Sequence, residues 1–229
     1  MAEQPWLLDA FCCAGGATRG YQRAGFRVFG VDIDPQPDYC GDGFHQGDAV
    51  EFIRRWGRGF TAIHASPPCQ GESAPTKGSN AARNKRNGTS HPRLITTTRT
   101  ALRELDVPWV IENVAGSSVR KDLTLCGEMW GLDVLLHRYF ELSDGIVVEQ
   151  PRHRPHRGYV RGWRHGIWRD GPYLATYGKG GGKATEAEIR RAKGIDWMRS
   201  RHELTEAIPP VYTEYIGSRL MGHLRDRAA

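Results

Sequence analysis

Short apolar segments alternate with helix-forming segments over the first half of this 229-residue sequence. Four apolar runs predict strands, at residues 6–11, 26–32, 60–65 and 109–114. Helical segments are predicted between them, ending near residue 24, at about 49–56 and at about 94–105. Strands that alternate with helices predict an α/β fold with a doubly wound, mostly parallel sheet. Since ligands bind such sheets at the carboxyl ends of the strands, polar residues that end a strand are the first candidates for a site.

The first predicted strand runs into a turn, Cys12-Cys13-Ala14-Gly15-Gly16, and the second strand ends in Asp32. A strand, a glycine-bearing turn, a helix and a second strand that ends in an acid form a nucleoside-binding arrangement. Glycine lets the backbone approach a ligand closely, and a carboxylate accepts hydrogen bonds from both ribose hydroxyls. By themselves, Gly15 and Gly16 are equally compatible with a tight turn that binds nothing.

Pro67-Pro68-Cys69-Gln70 follows the third predicted strand. Two prolines restrict the backbone, so the next side chain is held rigidly at the strand end. A cysteine in this position is a candidate nucleophile, because proximity to a helix start lowers the pKa of a thiol. The alternative is a buried structural cysteine, but the hydrophilic residues from Gln70 to Ser73 favour an accessible thiol.

Glu112-Asn113-Val114 ends the fourth predicted strand. A carboxyl group there is suited to hydrogen-bond the edge of a base or to donate a proton. Considered alone, Glu112 is better explained as a surface acid at a strand end.

The net charge of +6 lies in the carboxyl-terminal part of the chain. Residues 1–143 contain 16 Lys and Arg against 16 Asp and Glu, whereas residues 144–229 contain 16 against 10. Residues 151–183 hold eight basic residues and one acid, with Trp and Tyr between them, and residues 71–92 form a second basic segment. Clustered positive charge suits a polyanion, because neutralising phosphates releases counterions. A solvated basic face is the alternative.

The five cysteines are an odd number without a CxxC spacing, so neither a disulfide framework nor a zinc site is expected, and we predict no metal. No apolar run reaches the length of a membrane span, and the first residues lack the basic start of a signal peptide. We therefore expect a cytoplasmic protein that contacts no membrane.

Taken together, the motifs resemble those of the cytosine-5 DNA methyltransferases, in the same order along the chain. The matching segments are Phe11–Gly16, Gly30–Pro35, Gly47-Asp48, Pro67–Gln70, Glu112–Val114, Glu188–Asp196 and Glu206–Gly217. In the same order, these segments correspond in that family to the cofactor turn, the ribose-binding segment, the adenine-contacting acid and the nucleophile. The last three correspond to the base-contacting acid, the frame of the target-recognition region and the carboxyl-terminal motif. The resemblance covers residues 6–222 and indicates a short member of phage or bacterial type.

The resemblance implies a Rossmann-like methyltransferase fold with a small irregular target-recognition insertion. The implied divisions are a catalytic and cofactor-binding domain at 1–143, a target-recognition region at 144–184 and a return segment at 185–229. A short helix is predicted up to Lys193, with Thr185 as its cap. The implied reaction transfers a methyl group from S-adenosylmethionine to carbon 5 of a cytosine flipped out of duplex DNA, and it leaves S-adenosylhomocysteine.

The resemblance also implies a role for each matching residue. Cys69 adds to carbon 6 of cytosine, Glu112 hydrogen-bonds the ring nitrogen N3 and the exocyclic amine, and Arg138 lies near O2. The implied cofactor-binding residues are Phe11, Ala14, Gly15, Gly16, Asp32, Ile33, Asp48 and Pro68. Expected DNA contacts come from Gln70, beside Cys69, and from basic residues of the two basic segments: Lys77, Arg83, Lys85, Arg86, Arg161, Arg164, Lys179 and Lys183.

Four features depart from the family pattern. Cys13 replaces the first glycine of the cofactor turn, and Glu206 stands where the family has Asn. Of a motif with one glutamine and two arginines, only Arg138 is kept. The target-recognition region is short. These departures affect the expected binding details more than the expected reaction.

Two alternatives stay open at this point. One branch of the same family methylates transfer RNA with the same motifs, so the substrate is DNA or RNA. A protein that keeps the fold and only binds DNA is the third interpretation, although Cys69 and Glu112 are both present. We expect a monomer that binds double-stranded DNA in the cytoplasm of a bacterium or phage-infected cell, with any restriction enzyme on a separate chain.

Overall fold

The computed structural model describes residues 3–68, 94–176 and 184–228. Within these residues the strands are β1 (Trp6–Ala10), β2 (Arg27–Asp32), β3 (Gly43–Gln46), β4 (Ala62–Ala65), β5 (Trp109–Val114), β6 (Leu123–Leu125), β7 (Arg138–Leu142), β8 (Gly162–Arg164) and β9 (Ile167–Arg169). The α-helices are α1 (Gly16–Arg23), α2 (Ala49–Trp56), α3 (Leu94–Arg103), α4 (Glu186–Lys193), α5 (Arg201–Glu206) and α6 (Pro210–Ala228). Short 3₁₀ helices cover Gly57–Gly59 and Gly127–Trp130.

Seven strands form one sheet in the order β3-β2-β1-β4-β5-β7-β6. The pairs from β3 to β5 are parallel, and β7 runs antiparallel to both β5 and β6. The predicted mostly parallel, doubly wound sheet is therefore confirmed, and the four predicted strands match β1, β2, β4 and β5. The sequence did not predict β3, β6 or β7, which are the outer strands of the sheet.

The central strands read as continuous apolar runs because both faces of the sheet are covered by helices. On one face, Leu7, Val28, Ala62 and Val110 pack in a core with α1 and α6. On the other face, Leu8, Val31, Ile63 and Ile111 pack in a core with α2 and α3. Side chains of successive residues point to opposite faces of a strand, so each strand supplies both cores.

The return segment closes against the first helix through close backbone contact. A Cβ at Gly20 in α1 would lie 2.1 Å from the Pro210 carbonyl oxygen and from Thr213 Oγ1 in α6. Thr213 Oγ1 in turn donates to the Ala17 carbonyl at 2.8 Å. This contact brings the end of α5 and the α5–α6 connection, residues 207–209, to the carboxyl edge of the sheet.

A buried lysine holds the end of α5. Lys193 Nζ donates to the carbonyls of Leu204 at 2.5 Å and Ala207 at 2.7 Å, which the helix end leaves without partners. The predicted helix before it is confirmed as α4, with the side chain of Thr185 as N-cap in a capping box with Glu188. Gly194 ends α4 with a φ of 69°.

Residues 144–176 add little regular structure to the sheet. They contain the two-stranded hairpin β8–β9 and an isolated bridge between Val160 and Tyr173. This agrees with the expected small irregular insertion. In the part of the chain that the structure covers, no helix has both the length and the apolar character of a membrane span.

Candidate active site

A cavity of about 430 Å³ opens at the carboxyl ends of the central strands. It lies where the strand order reverses between β1 and β4, which is the usual ligand site of an open α/β sheet. The walls come from the ends of β1, β2, β4 and β5, from the start of the antiparallel β7 and from the α5–α6 connection. The polar lining residues are Asp9, Asp32, Asp34, Gln36, Ser66, Glu112, Asn113, Arg138, His202 and Glu206.

The turn after β1 has an unusual backbone. Phe11 and Cys13, which line the cavity, have φ values of 61° and 44°, a region that residues other than glycine rarely adopt. Gly15 follows with a φ of 89°, and a Cβ there would lie 2.7 Å from Cys40 Sγ. Strained backbone of this kind persists where the surrounding structure enforces it, often at binding sites.

Asp32 ties this turn to the second strand. Its Oδ2 accepts the Cys13 N–H at 2.9 Å, and its Oδ1 accepts the Asp34 N–H at 3.1 Å. The carboxylate is buried and faces the cavity, so it is fixed in place before any ligand binds. Four of the predicted cofactor residues besides Asp32 also line the cavity: Phe11, Gly16, Ile33 and Pro68.

Three of the predicted cofactor residues lie outside the cavity wall. The Ala14 carbonyl accepts the Trp197 indole N–H at 2.8 Å, and Gly15 shapes the turn. Asp48 Oδ1 accepts the Glu51 N–H at 2.8 Å as the N-cap of α2. The predicted contact of Asp48 with adenine therefore stays a prediction, while its role as a helix cap is observed.

Glu112 and Arg138 meet at the other end of the cavity. Glu112 ends β5, and its side chain is only 6% exposed, so the interpretation as a surface acid is wrong. Arg138 Nε lies 2.9 Å from Glu112 Oε1. Its N–H is not directed at that oxygen, and within the described ranges Oε1 accepts no hydrogen bond. Arg138 therefore pairs with Oε1 by charge, and both side chains lie in the cavity wall, where a ligand can contact them.

Burial raises the pKa of the Glu112 carboxyl above its usual value, while Arg138 and a hydrogen bond from Ser66 oppose that rise. Burial has the largest effect on this pKa, so the net shift is upward. Glu112 therefore retains a proton at a higher pH than an ordinary glutamate, and its protonated form can donate a hydrogen bond.

The residues before Cys69 are held in the cavity wall. Asn113 Nδ2 donates to the Pro67 carbonyl at 2.7 Å, which fastens the end of β4 to β5. Pro68 lines the cavity, and Cys69 follows it directly. Cys69 and Gln70 themselves lie outside the described residues.

Asp9 is a cavity residue that the sequence analysis missed. It is fully buried at the end of β1, and Thr18 Oγ1 donates to its Oδ2 at 2.5 Å. Its Oδ1 has no hydrogen-bond partner in the described ranges. Burial raises the pKa of Asp9 to about 7, with a smaller effect from the charges of Asp32 and Glu112. Asp9 was missed because it sits inside an apolar strand pattern.

Arg161 is the one predicted DNA contact with a described side chain. Its Nη2 donates to Glu188 Oε1 at 3.0 Å, so it links the insertion to α4. The backbone of Arg164 lies in β8, and its side chain is not among those described. The remaining predicted DNA contacts lie outside the described ranges: Gln70, Lys77, Arg83, Lys85, Arg86, Lys179 and Lys183.

Aromatic side chains are exposed on and beside the β8–β9 hairpin. Trp163 and Trp168 pack edge to face with ring centroids 5.7 Å apart, and both are about half exposed. Tyr159 is exposed next to them and lies under the Arg169 guanidinium at 4.7 Å. Exposed apolar patches commonly mark interaction sites.

No protein-family profile and no curated protein matches the sequence. Among solved structures, the fold resembles a candidate DNA modification methyltransferase encoded within an E. coli prophage, with a TM-score of 0.62 and 17% identity over 97% of this chain and 100% of the other. It also resembles the S. pombe Dnmt2 methyltransferase, with a TM-score of 0.60 and 13% identity over 96% and 99% of the two chains.

A third similar structure is the Entamoeba histolytica methyltransferase EhMeth, with a TM-score of 0.55 and 14% identity over the whole of both chains. At these identities the likeness concerns the fold. The chain therefore has the Rossmann-like fold of these methyltransferases, with its cavity at the carboxyl edge of the sheet.

Proposed function

We propose that the protein is a DNA cytosine-5 methyltransferase that uses S-adenosylmethionine as methyl donor. The observation that carries this proposal is the buried Glu112 carboxyl, which has a raised pKa and is paired with Arg138 in the cavity wall. Pro68, the residue before Cys69, lines the same cavity, as do Asp32 and the strained turn. The proposed base-binding acid Glu112, the residue before the proposed nucleophile and the proposed ribose-binding Asp32 therefore line one cavity.

The cofactor end of the cavity fits S-adenosylmethionine. Asp32 offers a carboxylate to the ribose hydroxyls, Ile33 is 64% exposed beside it, and Gly16 brings backbone to the wall. Besides the buried Asp9 and Glu112, whose pKa values are raised, the wall contains three acids, Asp32, Asp34 and Glu206, against one arginine. Negative charge suits the sulfonium and ammonium groups of this cofactor. When bound, S-adenosylmethionine supplies an electrophilic methyl group.

The other end of the cavity fits a cytosine. In its protonated form Glu112 donates to the ring nitrogen N3 of cytosine and accepts from the exocyclic amine. These two groups lie side by side on the base-pairing edge of cytosine. The Cys69 thiolate adds to carbon 6, and the pair of ring electrons shifts to carbon 5, which becomes nucleophilic. The proton on N3 neutralises the negative charge that the addition places on the ring.

Release of the enzyme reverses the addition. After carbon 5 has gained its methyl group, a base removes the carbon-5 proton, the ring double bond re-forms and the Cys69 thiolate leaves. Arg138, which lines the same cavity, is proposed to hydrogen-bond O2 of the base. None of these groups reaches a base inside a stacked duplex, so the cytosine has to flip out, at a cost of a few kcal/mol.

The insertion is the proposed DNA-reading surface. Exposed Trp163, Trp168 and Tyr159 lie among the basic residues of 151–183. Arginine and lysine in the two basic segments are expected to contact phosphates and, at a few positions, guanine edges. Arg161 can take part only if it leaves Glu188. Arg164, Lys179 and Lys183 are the other candidates from the sequence.

The test is a methyl-transfer assay with labelled S-adenosylmethionine and three acceptors: duplex DNA, transfer RNA and a duplex without cytosine. Label on DNA alone, and bisulfite conversion that locates 5-methylcytosine at one recurring sequence, are expected. Label on transfer RNA alone would replace DNA by RNA as the substrate. Label on neither acceptor, from protein that binds S-adenosylmethionine, would contradict the proposal.

A further inference from the structure

Four side chains that the proposed mechanism does not use converge at the outer edge of the sheet: Cys126, His137, His153 and His156. His153 Nε2 lies 3.3 Å from both His137 Nε2 and His156 Nε2, and Cys126 Sγ lies 3.7 Å from His156 Nε2. All four donor atoms lie within 4.8 Å of one another. None of these residues lines the cavity.

Hydrogen bonds among these groups account poorly for this arrangement. Each ring nitrogen is either a donor or an acceptor, yet His153 Nε2 and His156 Nε2 each face two partners. The separations between the ring nitrogens are also longer than those of ordinary hydrogen bonds, about 2.7–3.2 Å. One cation at the centre would satisfy all four lone pairs at once.

The separations match those in a tetrahedral metal site. Zinc bonds of about 2.0–2.1 Å to nitrogen and about 2.3 Å to sulfur place the ligand atoms about 3.3–3.6 Å apart. The separations of 3.3, 3.3 and 3.7 Å between the donor atoms fall at or near this range. The exposed His153 and His156 rings can rotate to bring the remaining pairs of donor atoms closer. One thiolate and three imidazoles are a ligand set that favours zinc, and four protein ligands leave no open position for catalysis.

The fold holds the two inner ligands firmly. Cys126 is fully buried and follows β6, while His137 precedes β7. The chain between them folds back closely, since a Cβ at Gly127 would lie 2.0 Å from the Val134 carbonyl oxygen. Leu136, with a φ of 39°, precedes His137, and its carbonyl accepts from Tyr212 Oη at 3.0 Å.

The two outer ligands belong to the start of the insertion. His153 and His156 lie in a stretch without regular structure, and the next residue, Arg157, donates its N–H to Tyr173 Oη at 2.7 Å. A cation bound by all four residues would therefore fasten the beginning of the insertion to the β6–β7 connection. His137 is also adjacent to Arg138 in the cavity wall.

The geometry points to a structural zinc site formed by Cys126, His137, His153 and His156. This departs from the expectation of no metal, which considered only the spacing of cysteines. The site fixes the insertion relative to the sheet and steadies the start of β7, where Arg138 faces the active site. It depends on the positions of these four residues and not on the proposed methyltransferase activity.

The first experiment measures metal in untagged protein, because a polyhistidine tag would itself bind zinc. We expect about one zinc ion per chain by elemental mass spectrometry, in the ratio that a closed four-ligand site requires. Replacement by Co²⁺ should give the strong visible absorption of tetrahedral cobalt and a thiolate-to-metal band in the near ultraviolet. Cys126→Ser should remove the thiolate band.

A matched pair of variants tests the histidines without disturbing the buried cysteine. His153→Asn combined with His156→Asn removes two exposed ligands, and His165→Asn changes an exposed histidine in the β8–β9 turn that is outside the cluster. The double variant should lose the zinc, and chelation should lower the melting temperature of the control but not that of the double variant. Untagged wild-type protein that binds neither zinc nor cobalt, or a double variant with as much zinc as the control, would overturn the proposal.

Discussion

The burial of Glu112 affects the proposed reaction through the pKa of its carboxyl group. Because burial raises the pKa of its carboxyl, the protonated form that can donate to N3 of cytosine persists to a higher pH. Glu112→Gln keeps a similar shape and a donor but cannot move a proton. We expect kcat to fall by about 10²- to 10⁴-fold while the melting temperature changes little.

The control for this change is Glu149→Gln, which alters an exposed acid outside the cavity and should leave kcat unchanged. In the wild type, activity should decline as the pH rises through the pKa of Glu112. The glutamine variant should lose this decline. Equal kcat values for the Glu112 and Glu149 variants would remove Glu112 from its assigned role.

Asp9 makes the stability of the protein depend on pH. Its pKa is raised from 3.8 to about 7, so between these values the folded state holds a proton that the unfolded state has released. The free energy of unfolding should therefore fall as the pH rises through this window. At about 1.4 kcal/mol per pH unit, the loss is about 4 kcal/mol at most.

Asp9→Asn keeps an acceptor for the Thr18 hydroxyl and removes the titration. Urea denaturation at pH 4 and pH 8 should show the variant less dependent on pH than the wild type, and more stable than it at pH 8. The same pH dependence in both proteins would show that Asp9 does not titrate as described.

The resemblance assigns Asp32 to the ribose of the cofactor and Asp48 to its adenine. Variants of the two residues test these roles separately. Asp32→Ala should weaken S-adenosylmethionine binding by about 1.5–3 kcal/mol for each charge-assisted hydrogen bond lost. Asp48→Ser preserves an N-cap for α2 but shortens the side chain, so an unchanged affinity is expected if Asp48 only caps the helix. Calorimetry of both variants distinguishes these outcomes, and unchanged affinity in Asp32→Ala would place the ribose elsewhere.

At the scale of elements, the contact between α1 and α6 decides whether the return segment reaches the cavity. Gly20→Ala places a methyl group where the Pro210 carbonyl and Thr213 lie 2.1 Å away, so the helices must separate. We expect a loss of about 1–3 kcal/mol of stability, as for other overpacked sites. Weaker cofactor binding should accompany it, because Glu206 and Ile208 move with α6.

The same substitution at Gly222, also in α6, serves as the control. No atom lies within 4 Å of a Cβ at that position, so alanine should stabilise the helix by about 0.5–1 kcal/mol. Chemical denaturation of both variants gives the comparison. Equal effects at the two glycines would contradict the close approach of α1 and α6.

Elements with a local signal were predicted from the sequence, and elements that depend on tertiary contacts were not. β1, β2, β4 and β5 are buried on both faces and so appear as apolar runs, and Thr185 with Glu188 has the pattern of a capping box. β3 is a short edge strand, Gly-Phe-His-Gln, without an apolar pattern. β6 and β7 are paired by the fold-back of residues 126–137, which no local rule predicts.

At the scale of the whole molecule, the candidate site was predicted only where its residues belong to recognisable sequence motifs. Asp32 and Glu112 were found because they end predicted strands, and Arg138 was found through the family resemblance; the structure brings all three to one cavity. The cysteine and histidine cluster was missed because its members are separated by 10, 15 and 2 residues, and they meet only after β6 and β7 have paired.

Covalent trapping is the measurement that tests the central claim most directly. Fluorine at carbon 5 cannot leave as a proton does, so a methylated 5-fluorocytosine stays bound to the attacking cysteine. Duplex DNA in which every cytosine is 5-fluorocytosine needs no knowledge of the recognition sequence. With S-adenosylmethionine, the wild type should give a shifted band on a denaturing gel, and Cys69→Ser should give none. No shifted band from wild-type protein that methylates ordinary DNA under the same conditions would contradict the covalent cytosine-5 mechanism.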